Sequence, residues 1–140
     1  MGEIITLKEN REFKRMYSRG KSFVSPIVVT YAMRNRKNIV RIGITTSKKV
    51  GNAVLRNRAR RIILSAFRKI SPDLKTGYDF VFVARAKTPF AKSDDIFKYM
   101  KVHFKKLGVL NEKKWEFIKY FFFKEVYYKL YKILSEENIC

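Results

Sequence analysis

Residues 51–68 read "GNAVLRNRARRIILSAFR", five arginines set among an equally regular series of aliphatic residues. At about 100° per residue, Leu55, Ala59, Ile62, Ile63, Ala66 and Ile70 fall on one side of a helix. Asn57, Arg60, Arg61 and Arg68 form a separate stripe, with Arg56 near its border and Arg58 towards the far flank. The spacing predicts a helix over residues 52–70 that has one face for a core and another for a polyanion. Arginine suits the second task, because its planar fork pairs with two phosphate oxygens and stacks on unpaired bases. The tripeptide Arg56-Asn57-Arg58 is not informative by itself, since Arg34-Asn35-Arg36 repeats it. Lying in a polar turn, the first copy reads as a solvated loop.

Outward from this helix, the pattern alternates helices and strands. Residues 9–19 carry Phe13, Met16 and Tyr17 at helical spacing, with Asn10 as a candidate N-cap and Gly20 as a stop. "IVVTYAM", residues 27–33, is rich in β-branched residues and follows Pro26. The turn "RNRKN" leads to a second strand over 39–47, so an antiparallel meander is expected. "SPDLKTG", residues 71–77, breaks the chain, and "YDFVFVAR", 78–85, reads as a strand. A third helix is expected from Ser93 as N-cap, with Asp94 and Asp95 at its positive end and Ile96, Phe97, Met100, Phe104 and Leu107 as its buried stripe. The order α-β-β-α-β-α implies an α+β fold, helices packed on a small, mostly antiparallel sheet.

The chain has 140 residues and 46% hydrophobic composition, enough for one domain with a real core. Its 32 Lys plus Arg against 12 Asp plus Glu give a net charge of +20, which points to a polyanionic partner. Nucleic acid is favoured over a membrane surface because the charge runs through folded-looking segments and each phosphate contact adds affinity by releasing counterions. Cys140 is the sole cysteine, so neither an internal disulfide nor a cysteine-based zinc site is expected. No secretory signal or long apolar run is read, and the expectation is a soluble, cytoplasmic chain without stable membrane insertion. Residues 1–107 read as the domain and 108–140 as a helical extension. The aromatic-rich extension docks on the core or on another copy of the chain, or lies on a membrane surface.

Just before the basic helix, "TTSKKVGNA" places Thr46, Ser47, Lys48 and Lys49 at a strand end and Gly51 and Asn52 at a helix start. Hydroxyls, lysines and helix N-terminal amides form a corner suited to phosphate, although the spacing is not that of a P-loop. No catalytic or metal-ligating group is assigned to the chain. His103, the only histidine, sits at helical spacing from Ile96 and Met100 at the border of a core. Asp79, Asp94 and Asp95 are scattered over strand and cap positions.

The run "SKKVGNAVLRNRARRIILSAFR" resembles the signature of the bacterial ribonuclease P protein subunit, in which Lys-Lys-x-Gly-x-Ala-x-x-Arg-Asn-Arg-x-x-Arg leads from a strand into a helix. "ENREFKRMYSRGKSF" is similar to that family's first helix, and "GYDFVFVARAKT" to its last core strand, so the resemblance spans residues 5–107. It implies a sandwich like the second domain of ribosomal protein S5, with a left-handed βαβ crossover that the general handedness rule would not suggest. It also implies an accessory subunit of an endoribonuclease whose catalytic centre is on the RNA. That RNA, with bound Mg²⁺ and no organic cofactor, removes the 5′ leader of precursor tRNA.

By position, Lys48, Lys49, Asn52, Arg56, Asn57, Arg58, Arg60 and Arg61 would engage the RNA subunit, with Arg68 continuing the stripe. Phe13, Tyr17 and Tyr31 would line a cleft for single-stranded leader. Spacing alone reads Phe13 and Tyr17 as core, and Arg85 is either a phosphate contact or a plain surface arginine. Leu64 departs from the family, which often has arginine there. Two other readings stay open: an RNA-binding module such as a ribosomal protein, and a membrane-associated protein using the aromatic tail.

Overall fold

The computed structural model describes residues 4–111. The chain order is β1 (Ile4–Thr6), α1 (Asn10–Arg19), β2 (Lys21–Val24), β3 (Val28–Arg34), β4 (Val40–Thr45), α2 (Ala53–Ile70), β5 (Tyr78–Ala84) and α3 (Ser93–Leu107). The five strands form one mixed sheet in the order β1-β4-β5-β3-β2. β4 pairs in parallel with β1 and β5, whereas β3 is antiparallel to both β5 and β2. The α+β class follows from this arrangement.

The expected meander between β3 and β4 does not form, because β5 lies between them. "YDFVFVA" is buried on both faces, as a central strand must be. The turn after β3 is held to the start of β5 from both sides: Asn35 N donates to Gly77 O, and Gly77 N donates to Ile39 O. β1 and β2 went unread because they are short and mostly solvent-facing. Two expected caps also move by one residue. Asn10 is already helical after Glu9, and Ser93 opens α3 after Lys92, its hydroxyl instead receiving Lys69 Nζ at 3.1 Å.

Alternation along the strands sends side chains to two different layers. Phe80, Phe82, Val28 and Ala32 face α2 and α3, where they join Ala59, Ile63, Phe67, Ile96, Met100 and Phe104 in the main core. Phe80 and Phe104 lie 4.8 Å apart between ring centroids, and Phe67 and Phe82 lie 5.6 Å apart. The opposite face holds a smaller cluster in which Leu7, Met16 and Val81 are buried, with Phe13, Tyr31, Met33 and Val83 packed around them. α1 covers this second face. The core continues past α3 through Val109 and Leu110, with Lys75 N donating to Val109 O at 2.7 Å. The helix expected in the aromatic-rich tail lies outside the described residues. Among the described residues no helix is long and apolar enough to cross a membrane.

His103 is more deeply placed than a core border. It is 4% exposed, shares a 2.8 Å hydrogen bond between Nδ1 and Thr30 Oγ1, and stacks on Phe23. Burial, with a smaller effect from Lys106, pushes its pKa below the usual 6.5. The unfolded chain therefore takes up this proton first as pH falls through 6.5, and stability falls with it. Urea denaturation at neutral pH and near pH 5 should show a loss that is smaller in His103→Gln. An equal loss in both proteins would contradict this role.

Candidate functional site

The basic helix begins at a junction that glycine makes possible. Lys48–Val50 form a single 3-10 turn, and Gly51 follows at φ 138°, ψ −158°. A side chain there would be conformationally strained and would also place its Cβ 2.6 Å from Leu55 Cδ1. Asn52 then caps α2, its Oδ1 accepting from Leu55 N at 3.0 Å. No acidic residue occupies the first turn, so the positive end of the helix is left uncompensated. Lys48, Lys49 and Asn52 are all exposed at this corner.

Along α2, Ala59, Ile63, Ala66, Phe67 and Ile70 are buried, while Asn57, Arg58, Arg61 and Arg68 are exposed. Phe67 belongs to the buried face although the aliphatic pattern had not included it. Arg56 is half-buried and its Nε has no hydrogen-bond partner among the described residues. Arg60 sits on the flank of the stripe. It donates to Ile44 O at 3.1 Å and to Thr46 Oγ1 at 3.3 Å. That carbonyl needs a donor because β1 ends opposite Ile42, leaving the last turn of β4's edge unpaired. Leu64 is half-buried rather than a fully exposed gap. Among the described residues, none of Lys48, Lys49, Arg56, Arg58, Arg60, Arg61 or Arg68 has a carboxylate in ion-pair reach.

On the other side of the sheet, α1 and the strands bring Phe13, Tyr17 and Tyr31 together. The Tyr17 and Tyr31 rings meet edge to face at 5.1 Å, and the Tyr17 hydroxyl shares a 2.6 Å hydrogen bond with Thr45 Oγ1. Phe13 lies against Gly43, where a Cβ would come within 2.6 Å of its ring, so the missing side chain seats the helix. Spacing reads Phe13 and Tyr17 as core whereas the resemblance implies a cleft, and the structure divides them. Phe13 is half-buried in the small cluster, whereas Tyr17 is 39% exposed. Arg85 follows the end of β5 with the parity of Val81 and Val83, and its Nη1 donates to Ser25 O at 2.9 Å. It is thus an exposed arginine braced beside the same face.

A polar network that sequence reading missed fixes the other end of α1. Arg41 donates through Nε to Asp79 Oδ1 at 2.8 Å, through Nη2 to Asp79 Oδ2 at 2.6 Å, and through Nη1 to Glu12 at 2.9 Å. Asp79 is 3% exposed, and Asn35 Nδ2 supplies it with a further hydrogen bond at 2.9 Å. Its hydrogen bond and charge raise the pKa of Arg41 despite partial burial. The available signal was a lone aspartate inside a strongly apolar strand, which requires a partner. The described residues bring together no group of three or more His, Cys, Asp or Glu that could hold a metal ion.

A family model for ribonuclease P matches residues 1–108. A ribonuclease P protein component from Clostridium perfringens (strain SM101) is 38% identical over 118 residues, covering 79% of this chain and 94% of the relative. Another, from Thermoanaerobacter sp. (strain X514), is 45% identical over 85 residues, covering 61% and 73%. The solved RNase P protein of Staphylococcus aureus superposes with a TM-score of 0.66 at 31% identity, covering 76% of this chain and 97% of that one. That of Thermotoga maritima gives 0.55 at 26% identity, covering 76% and 96%. The sequence signature, the sheet with its basic crossover helix, and these likenesses agree: the chain belongs to the ribonuclease P protein family, the protein components of a tRNA-processing ribonucleoprotein.

Proposed function

We propose that this protein binds the ribonuclease P RNA subunit through α2 and its preceding corner, and the single-stranded 5′ leader of precursor tRNA through the aromatic face beside α1. Three consecutive residues at the end of β4 carry the reading. Ile44 and Thr46 fasten Arg60 of the basic helix, and Thr45 fastens Tyr17 of the aromatic cleft. An RNA enzyme held on one surface and a leader held on the other would therefore be registered against each other by one rigid strand. Exposed arginines that meet no carboxylate among the described residues supply phosphate contacts, and tyrosine faces stack on bases without demanding a sequence.

The chemistry in this assembly belongs to the RNA, which holds the Mg²⁺ that assists hydrolysis of the leader phosphodiester. The protein orients the leader and neutralises phosphates in the cytoplasm, as an accessory rather than a catalytic chain. Arg85, exposed after the end of β5, meets a leader phosphate in this reading.

Tyr31→Ala tests this division. Removing one stacking platform costs about 1–3 kcal/mol. Equilibrium binding to the reconstituted holoenzyme should therefore show precursor tRNA weakened by roughly tenfold and mature tRNA unchanged. An equal loss for both RNAs would remove the leader assignment.

A further inference from the structure

The first Arg-Asn-Arg, expected to be a solvated loop, is a braced turn. Asn35 N donates to Gly77 O at 3.0 Å, and its Nδ2 donates to Ile39 O at 3.0 Å and to Asp79 Oδ1 at 2.9 Å. Its Oδ1 accepts from Lys37 N at 2.9 Å. Arg36 and Asn38 are held at φ 59° and 55°, left-handed conformations that cost roughly 1–2 kcal/mol at Arg36 and that asparagine adopts more readily. A hydrogen bond between Thr76 and Asn38 adds to the bracing. Strain maintained in this way is characteristic of places where side chains must be presented in a set direction.

Two cavities, of about 330 Å³ and 800 Å³, open beside this turn and share Arg15, Met33, Arg34 and Asn35 as lining. Their walls carry six basic residues and only two carboxylates, Glu12 and Asp79. Arg41 engages both carboxylates, and Arg11 pairs with Glu9. Arg15, Arg34, Arg36 and Lys37 have no carboxylate partner among the described residues. The basin is therefore an anion site whose internal acids are already engaged.

Its position selects the anion. Met33 lines both cavities and packs in the same small cluster as Tyr31, so the basin adjoins the aromatic cleft. Arg34 has the parity of Ala32 and carries its guanidinium over the Tyr78 ring, 5.8 Å from the centroid, on the α2 and α3 side of the sheet, so the cavity-lining cations left for the cleft side are Arg15, Arg36 and Lys37. The exposed stripe of α2 lies on the opposite face of the sheet. We infer that the basin of Arg15, Arg36 and Lys37 binds the sugar-phosphate backbone of single-stranded leader RNA that extends beyond the nucleotides on Tyr17 and Tyr31. This rests on the leader assignment above. Because the basin offers cations and a Met floor rather than an open aromatic face, it meets phosphates and is independent of sequence.

The test uses the holoenzyme and three RNAs: mature tRNA, precursor with a leader only long enough to reach Tyr31, and precursor with a leader several nucleotides longer. Wild type is expected to bind the long leader more tightly than the short one. The Arg36→Gln, Lys37→Gln double variant should lose that increment, about fivefold to tenfold, with short-leader binding unchanged. Its salt dependence for the long leader should flatten by roughly 0.7 for each phosphate that is no longer neutralised. Arg15→Gln, on exposed α1 surface, is the second variant and should act in the same direction, with melting temperatures confirming that each variant folds. Equal weakening of short and long leaders, weaker binding of the RNA subunit, or an increment that survives in the variants would overturn the proposal. Failure of wild type to distinguish the short leader from mature tRNA would instead remove the cleft reading and this extension with it.

Discussion

Replacing Arg61 and Arg68 together with alanine is expected to weaken binding of the RNA subunit about a hundredfold. Both side chains are exposed on the outward face of α2 and meet no carboxylate among the described residues. A charge-assisted hydrogen bond contributes about 1.5 kcal/mol or more, so two amount to about 3 kcal/mol. The dependence of log affinity on log salt should flatten by nearly two units, about 0.9 for each phosphate released. Filter binding across a salt series measures both quantities, and an unchanged slope would move the interface elsewhere. Arg60 differs from this pair because it also satisfies Ile44 O. Arg60→Ala should therefore lose about 1 kcal/mol of stability as well as some affinity, a signature the outward pair lacks.

The second large effect concerns stability. Asp79→Ala leaves Arg41 with Glu12 alone and deprives Asn35 of an acceptor. Removing one partner of a buried pair costs about 3–5 kcal/mol. Urea denaturation should show a loss of that size, and Asp79→Asn a smaller one because an amide oxygen still accepts from Arg41. A loss under about 1 kcal/mol would mean that water replaces the carboxylate readily. Since the network anchors Glu12 of α1 and the turn at Asn35, leader preference should fall further than RNA-subunit affinity in the protein that remains folded.

The helix over 52–70 was legible because an 18-residue amphipathic pattern with an N-capping asparagine is a local signal. The sheet order was not. That β5 enters between β3 and β4 depends on Gly77 meeting residues on both sides of the earlier turn, a long-range pairing with no local trace. The basic residues could be named from the motif. Arg60's tie to the unpaired end of β4 could not, because it arises from where β1 stops. Phe13 and Tyr17 share a helical stripe, yet Gly43 draws one inward while Thr45 holds the other at the surface. Arg34-Asn35-Arg36 looked solvated because the demand for Asn35 comes from Asp79, 44 residues away.

In the proposed function, the protein would supply through its exposed cations part of the phosphate neutralisation that an RNA subunit otherwise takes from Mg²⁺. The direct measurement is the rate of precursor tRNA cleavage by the cognate RNA subunit across a Mg²⁺ titration, with and without the protein. The protein is expected to shift half-maximal cleavage to lower Mg²⁺, and the Arg61→Ala, Arg68→Ala variant to shift it less at equal concentration. Superimposable Mg²⁺ curves with and without the wild-type protein, under conditions where binding is saturated, would contradict it.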